Sequence, residues 1–140
     1  MTAPGVDVVA AAASGTADGP YRSMSGTSMA TPHVAGAAAI LAQRHPDWTG
    51  ARLKAALVGS AKPVRDATLY QQGAGLVDLV RGLKQQVAAT SGNVWAAFPW
   101  NGTGERVATK TITYANSGDA PVSLHHRDRQ TGAAGRPKGQ

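Results

Sequence analysis

The chain has 140 residues, of which 42% are apolar, 16% charged and 5% aromatic, and it contains no cysteine; that suffices for one domain, and a second has to be small or incomplete. Without cysteine there is no disulfide framework and no thiolate metal site, and four His leave little material for a zinc centre. The formal charge is +6, but half of it comes from Arg127, Arg129, Arg136 and Lys138 against Asp128 near the C-terminus, and no basic stripe is interleaved with aromatics, so nucleic acid is not an expected partner.

Ala3-Pro4-Gly5 reads as a turn leading into a short strand over Val6–Val9, residues 13–20 as a surface loop, and Tyr21–Met24 as a second short strand. A first helix is expected from about Ser28 to just before His45-Pro46, with Pro32 tolerated near its start and Arg44 and His45 suited to its negative end. Thr49 is the expected N-cap of a second helix, Gly50–Ser60, whose Leu53, Ala56 and Leu57 make one apolar face, so that it lies at a surface. A third helix is expected directly after Gly73-Ala74-Gly75, with Leu76, Leu79, Val80 and Leu83 at helical spacing.

Beyond about Gln86 the pattern changes. Val107 to Tyr114 alternates every second residue, Asn116-Ser117-Gly118-Asp119 is turn chemistry, and Val122-Ser123-Leu124 opens another strand, which together read as the beginning of a β-sandwich that does not close. His125 to Gln140 has no periodicity and no aromatic residue and reads as a disordered basic tail. No internal repeat is present.

The first helix is unusual. Val34, Ala37, Ile40 and Leu41 with the surrounding alanines leave no polar stripe to face water, the pattern of a helix buried on all sides in a larger body. It is not a membrane span: its strongly apolar part, Val34–Ala42, falls far short of the ~20 residues a bilayer requires. The Ala-rich start of the chain lacks a basic region and contains Pro4, Gly5 and Asp7, so it is not expected to be a signal peptide.

The chemistry gathers at Gly26-Thr27-Ser28-Met29-Ala30-Thr31-Pro32-His33, a loop running into that helix. Gly26 permits a tight turn and a close substrate. Ser28 then stands at a helix N-terminus, where free N–H groups and the positive end of the dipole favour an oxyanion. This octet resembles the nucleophile signature of the subtilisin-like serine peptidases, the subtilase family, and Val34-Ala35-Gly36-Ala37-Ala38-Ala39 continues it. Ala3-Pro4-Gly5-Val6, His45-Pro46-Asp47-Trp48-Thr49 and Gly73-Ala74-Gly75-Leu76-Val77-Asp78 are similar to the family in the same order, so that the resemblance spans residues 2 to about 86.

The resemblance implies an α/β architecture, the C-terminal portion of a subtilisin-like three-layer fold over residues 1–86. It also implies the opening of a fibronectin-III-like β-sandwich over 87–124, ahead of the tail at 125–140. It implies peptide-bond hydrolysis through an acyl-enzyme, a polypeptide substrate, secretion, and Ser28 as both nucleophile and, through its own N–H, an oxyanion donor. Gly26, Thr27, Met29, Pro32 and His33 are then motif support. In the family the triad runs Asp, His, Ser along the chain, yet the 27 residues before Ser28 hold no His and no Asn. The expectation is therefore a fragment that carries the nucleophile and needs the N-terminal portion of the peptidase domain as partner.

The His residues present do not replace the absent base. His33 follows Ser28 by five residues, a net rotation of about 140° on a helix, and points away from it. His45 lies ~25 Å along the helix, and His125 and His126 belong to the tail. Gly73-Ala74-Gly75 imitates part of a dinucleotide fingerprint but serves as a turn. Asn101-Gly102-Thr103 fits a glycosylation sequon. Asp7, Asp18 and Asp66 are scattered carboxylates that form no evident ligand set, although the complete family fold often binds calcium; no cofactor is expected. The alternative reading is a non-catalytic module that docks onto a separately encoded N-terminal part.

Overall fold

Leu41 is fully buried, and the helices of the computed structural model close around it. The structure describes residues 1–13, 15, 19–98 and 107–125. Along the chain run β1 (Val8–Ala11), β2 (Tyr21–Met24), α1 (Thr27–Arg44), α2 (Gly50–Ser60), α3 (Leu69–Gln72), α4 (Leu79–Lys84), β3 (Val87–Ala89) and β4 (Tyr114–Asn116). The described residues thus form a mixed α/β unit, with β1 paired antiparallel to β2 and β3 antiparallel to β4.

The core is small-sided. Ala37 and Leu41 of α1 meet Ala56 and Leu57 of α2, and Val34, Ala38, Trp48, Leu53, Val77 and Leu79 pack around them. Alanines bring the two helix backbones close, and Leu41 fills the space between, a burial that stabilises by roughly 1.5–3 kcal/mol. The connection from α1 to α2 is held by hydrogen bonds and a ring stack. His45 N–H donates to the Leu41 carbonyl at 2.9 Å and Trp48 N–H to the His45 carbonyl at 3.0 Å. The His45 and Trp48 rings stack with centroids 3.9 Å apart, and the Arg52 guanidinium lies 5.0 Å from the Trp48 ring. Thr49 caps α2 as its sequence position implies, accepting from Arg52 N–H.

The α1 helix has the expected span but not the expected surroundings. Ala35, Gly36, Ala39 and Ile40 are exposed, because within the described residues α2, α4 and their flanking segments cover one side of the helix. The α2 helix lies at a surface as expected, with Gly50, Ala51, Lys54 and Gly59 exposed, but it buries a second side as well: α1 lies against Ala56 and Leu57, and β3 and Gly92 lie beside Ala55.

The third helix begins later than its spacing suggests. Leu76 bridges both Thr2 and Lys62, Val77 N–H donates to the Thr2 carbonyl, and Asp78 then caps α4 by accepting from Arg81 N–H at 2.9 Å. A strand-like segment between two chain neighbours satisfies backbone groups that an earlier helix start would leave unpaired. The short α3 was not expected. It carries a capping box, Thr68 with Gln71, and the buried Gln72 amide holds the preceding loop through the Val64 N–H and the Val64 and Ala67 carbonyls.

The first strand lies two residues beyond the expected Val6–Val9. Of the alternating run 107–114, Tyr114 alone lies in a strand, β4, which pairs with Val87–Ala89 through Tyr114 opposite Ala89, and 122–124 form no strand. Asp18, the sequon at Asn101 and the segment 126–140 lie outside the described residues.

Two measurements test this core. Leu41→Ala is expected to lower stability by about 2–5 kcal/mol, read as a fall in the urea midpoint. Ile40→Glu on the exposed side is expected to change stability by no more than about 0.5 kcal/mol while reducing fluorescence of a hydrophobic dye bound to the chain.

Candidate functional site

The turn before α1 is a backbone-on-backbone contact, and it exists because two glycines face each other. Gly26 N–H donates to the Gly5 carbonyl at 2.7 Å, and a Cβ on Gly5 would stand 2.8 Å from the Gly26 carbonyl and 3.1 Å from the Ala30 methyl. Gly26 itself has φ 152°, a conformation that side chains rarely adopt. Its carbonyl accepts from the N–H groups of Met29 and Ala30 at 3.1 and 3.3 Å and so starts the helix.

A second link runs beside this one. Asp7, held in the left-handed region at φ 51°, donates its N–H to Ser25 Oγ at 2.9 Å, and that hydroxyl faces Asp7 Oδ1 at 3.4 Å. The Asp7–Ser25 link joins residues 18 apart, and no spacing in the sequence announces it. Together the two links fasten the loop preceding Ser28 to the turn that enters β1.

Ser28 is exposed in the first turn of α1. No described residue accepts from its N–H or hydrogen-bonds its hydroxyl. Pro32, four residues on, supplies no N–H to the Ser28 carbonyl, so the helix ladder is interrupted at this residue. Thr31 Oγ1 returns to the Thr27 carbonyl at 2.9 Å, and His33 Nδ1, the donor to a carbonyl, holds the Met29 oxygen at 2.9 Å. The His33 ring is thereby committed to its own helix, while His45 is stacked on Trp48.

A cleft of about 700 Å³ opens beside the Thr27, Ala30, Thr31 and Val34 face of α1, bounded also by Gly5 and Gln71, and Ser28 does not line it. Among the described residues no group of three His, Asp or Glu side chains is placed to hold a metal ion, and Asp7 and Asp66 sit in separate loops. Gly73-Ala74-Gly75 is a turn: Gly73 closes α3, and a Cβ on Gly75 would overlap the Lys62 carbonyl at 2.4 Å. No helix among the described residues is long and apolar enough to cross a membrane.

The site's amino-acid pattern is matched by known proteins. The family model described as the subtilase family, Peptidase_S8, matches residues 1–75. The minor extracellular protease Vpr of Bacillus subtilis is 32% identical over 123 residues, covering 83% of this chain and 15% of that protein. The subtilisin-like protease SBT1.3 of Arabidopsis thaliana is 40% identical over 103 residues, 58% of this chain and 13% of that protein. Subtilisin BL of Lederbergia lenta is 42% identical over 78 residues, 56% of this chain and 27% of that protein. The chain therefore spans about a quarter or less of the length of these relatives.

The glycine contact makes a paired prediction. Gly5→Ala is expected to cost about 1–3 kcal/mol, because the atoms it meets are backbone and a packed methyl. Gly36→Ala, whose Cβ meets nothing within 4 Å, is expected to gain about 0.5–1 kcal/mol through helix propensity. Urea midpoints of the two variants check both signs.

Proposed function

This chain belongs to the subtilase family, and from that premise we propose that it supplies the nucleophile side of a serine endopeptidase site. Ser28 Oγ attacks the scissile carbonyl of a polypeptide, the tetrahedral intermediate collapses to an acyl-enzyme as the amine leaves, and water then releases the acid. The Ser28 N–H is one oxyanion donor. The observation that carries this reading is the exposed Ser28 in the first turn of α1, with an unpartnered N–H, behind a loop pinned to Gly5.

A serine hydroxyl needs a base to take its proton, and among the described residues none is placed to do so. No His or Asn precedes Ser28, His33 is bonded to the Met29 carbonyl and His45 to Trp48 by stacking. The base, the Asp that orients it and the Asn completing the oxyanion hole are therefore assigned to an N-terminal portion of the peptidase domain outside this sequence. The exposed Ala35, Ala39 and Ile40 side of α1 supports that assignment, since a larger body would cover it. The whole protein is assigned to an extracellular setting like the one named for the Bacillus relative.

A fluorophosphonate probe tests the assignment. The 140-residue chain is expected to label no more than its Ser28→Ala variant. Adding in trans a subtilase portion that contains the Asp, His and Asn motifs is expected to produce labelling at Ser28 that Ser28→Ala abolishes. Stoichiometric labelling of the chain by itself would place a base within these residues and overturn the division of the site. Absence of labelling in the complemented sample would favour the non-catalytic docking module.

A further inference from the structure

The α2 helix has two buried sides, and the second of them is covered by chain that follows α4. Ala56 and Leu57 face α1, whereas Ala55, 2% exposed, stands outside that cluster. Its neighbour is Gly92: a Cβ built there would lie 3.4 Å from Ala55 Cα, 3.5 Å from Ala55 N and 3.6 Å from the Lys54 carbonyl carbon, all of them backbone. One turn further along the same side, Gly59 leaves room for the Gln85 amide, which would come within 3.0 Å of a Cβ. A crevice of about 220 Å³ follows this seam between Val58 on one side and Ala89, Ile112 and Tyr114 on the other.

The covering segment is itself latched. Thr90 N–H donates to the Thr113 carbonyl at 2.8 Å, and both the N–H and the hydroxyl of Ser117 donate to the Gln86 carbonyl at 2.8 and 2.9 Å. A two-stranded sheet is marginal in water by itself, and so is an eleven-residue helix. The strand pair therefore depends on burial against α2, which itself also packs on α1 through Ala56 and Leu57.

We propose that residues 87–98 and 107–118 form one cooperative folding unit with α1 and α2, docked as a third layer through the Ala55, Gly59 and Gly92 seam, and are not an independently stable module beginning after residue 86. At the seam a Cβ on Gly92 would only just make van der Waals contact with the α2 backbone, so a bulky side chain there has no room, while Ile112 and Tyr114 line the crevice beside it. The inference is independent of the peptidase reading, because it concerns how the layers hold each other.

The absence of native cysteine permits a direct test in the full chain. Single substitutions Ala55→Cys on the seam, Ala56→Cys on the α1 side and Ala51→Cys at an exposed position are alkylated with a maleimide, with and without Gly92→Trp as a wedge. Without the wedge, the thiols at 55 and 56 are both expected to react much more slowly than the one at 51. With the wedge, both are expected to accelerate together by at least about tenfold, as in a shared opening, while the one at 51 is unchanged. Acceleration at 55 with 56 still protected would show the strand pair peeling off a helical unit that stands without it, and would overturn the proposal. So would a thiol at 55 as reactive as that at 51 before the wedge, or no response to the wedge at either position.

Discussion

The close approach of backbones at positions without large side chains is the constraint on which this structure depends. One Phe, three Trp and three Tyr among 140 residues cannot fill wide gaps, so the elements must come close. Alanines of α1 and α2 admit each other around Leu41, Gly5 admits Gly26, and Gly75 admits the Lys62 carbonyl. Where interiors are close-packed, a Cβ added at such a point has nowhere to go unless the backbone moves.

The same constraint positions the candidate nucleophile. The turn that presents Ser28 is anchored below by Gly26 N–H on the Gly5 carbonyl and alongside by Asp7 on Ser25. The helix that continues from it is held by Leu41 four turns away. Pro32 leaves the Ser28 carbonyl without its ladder partner, while Thr31 and His33 tie their side chains back to Thr27 and Met29. The turn is therefore specified by its neighbours on both sides rather than by local helix propensity, and it presents Ser28 in the first turn with the helix dipole behind it.

Local chemistry explains which parts of the fold were legible beforehand. The span of α1 followed from the apolar run after Ser28 and the His45-Pro46 stop, and that of α2 from the Thr49 cap, because these signals act within a turn or two of the residues that carry them. The octet around Ser28 was legible for the same reason. Its setting was not: the Gly5–Gly26 contact and the Asp7–Ser25 link join positions about 20 apart, a pairing no periodicity encodes. The Thr68–Gln71 capping box was present in the sequence as a signal, yet a four-residue helix has too few turns to display a hydrophobic period.

What the sequence by itself determined was therefore the spans of α1 and α2, the Gly26–His33 octet and its family resemblance, all of which reside in contiguous residues. Tertiary structure decided the rest. It made Leu76 a bridge between Thr2 and Lys62 instead of the start of a helix, and it paired Tyr114–Asn116 with Val87–Ala89 rather than with the residues that follow. It also gave α2 a second buried side and left one side of α1 exposed. Each of these depends on which distant segment supplies the missing hydrogen-bond partner or the covering surface, and neither is written in the residues that receive it.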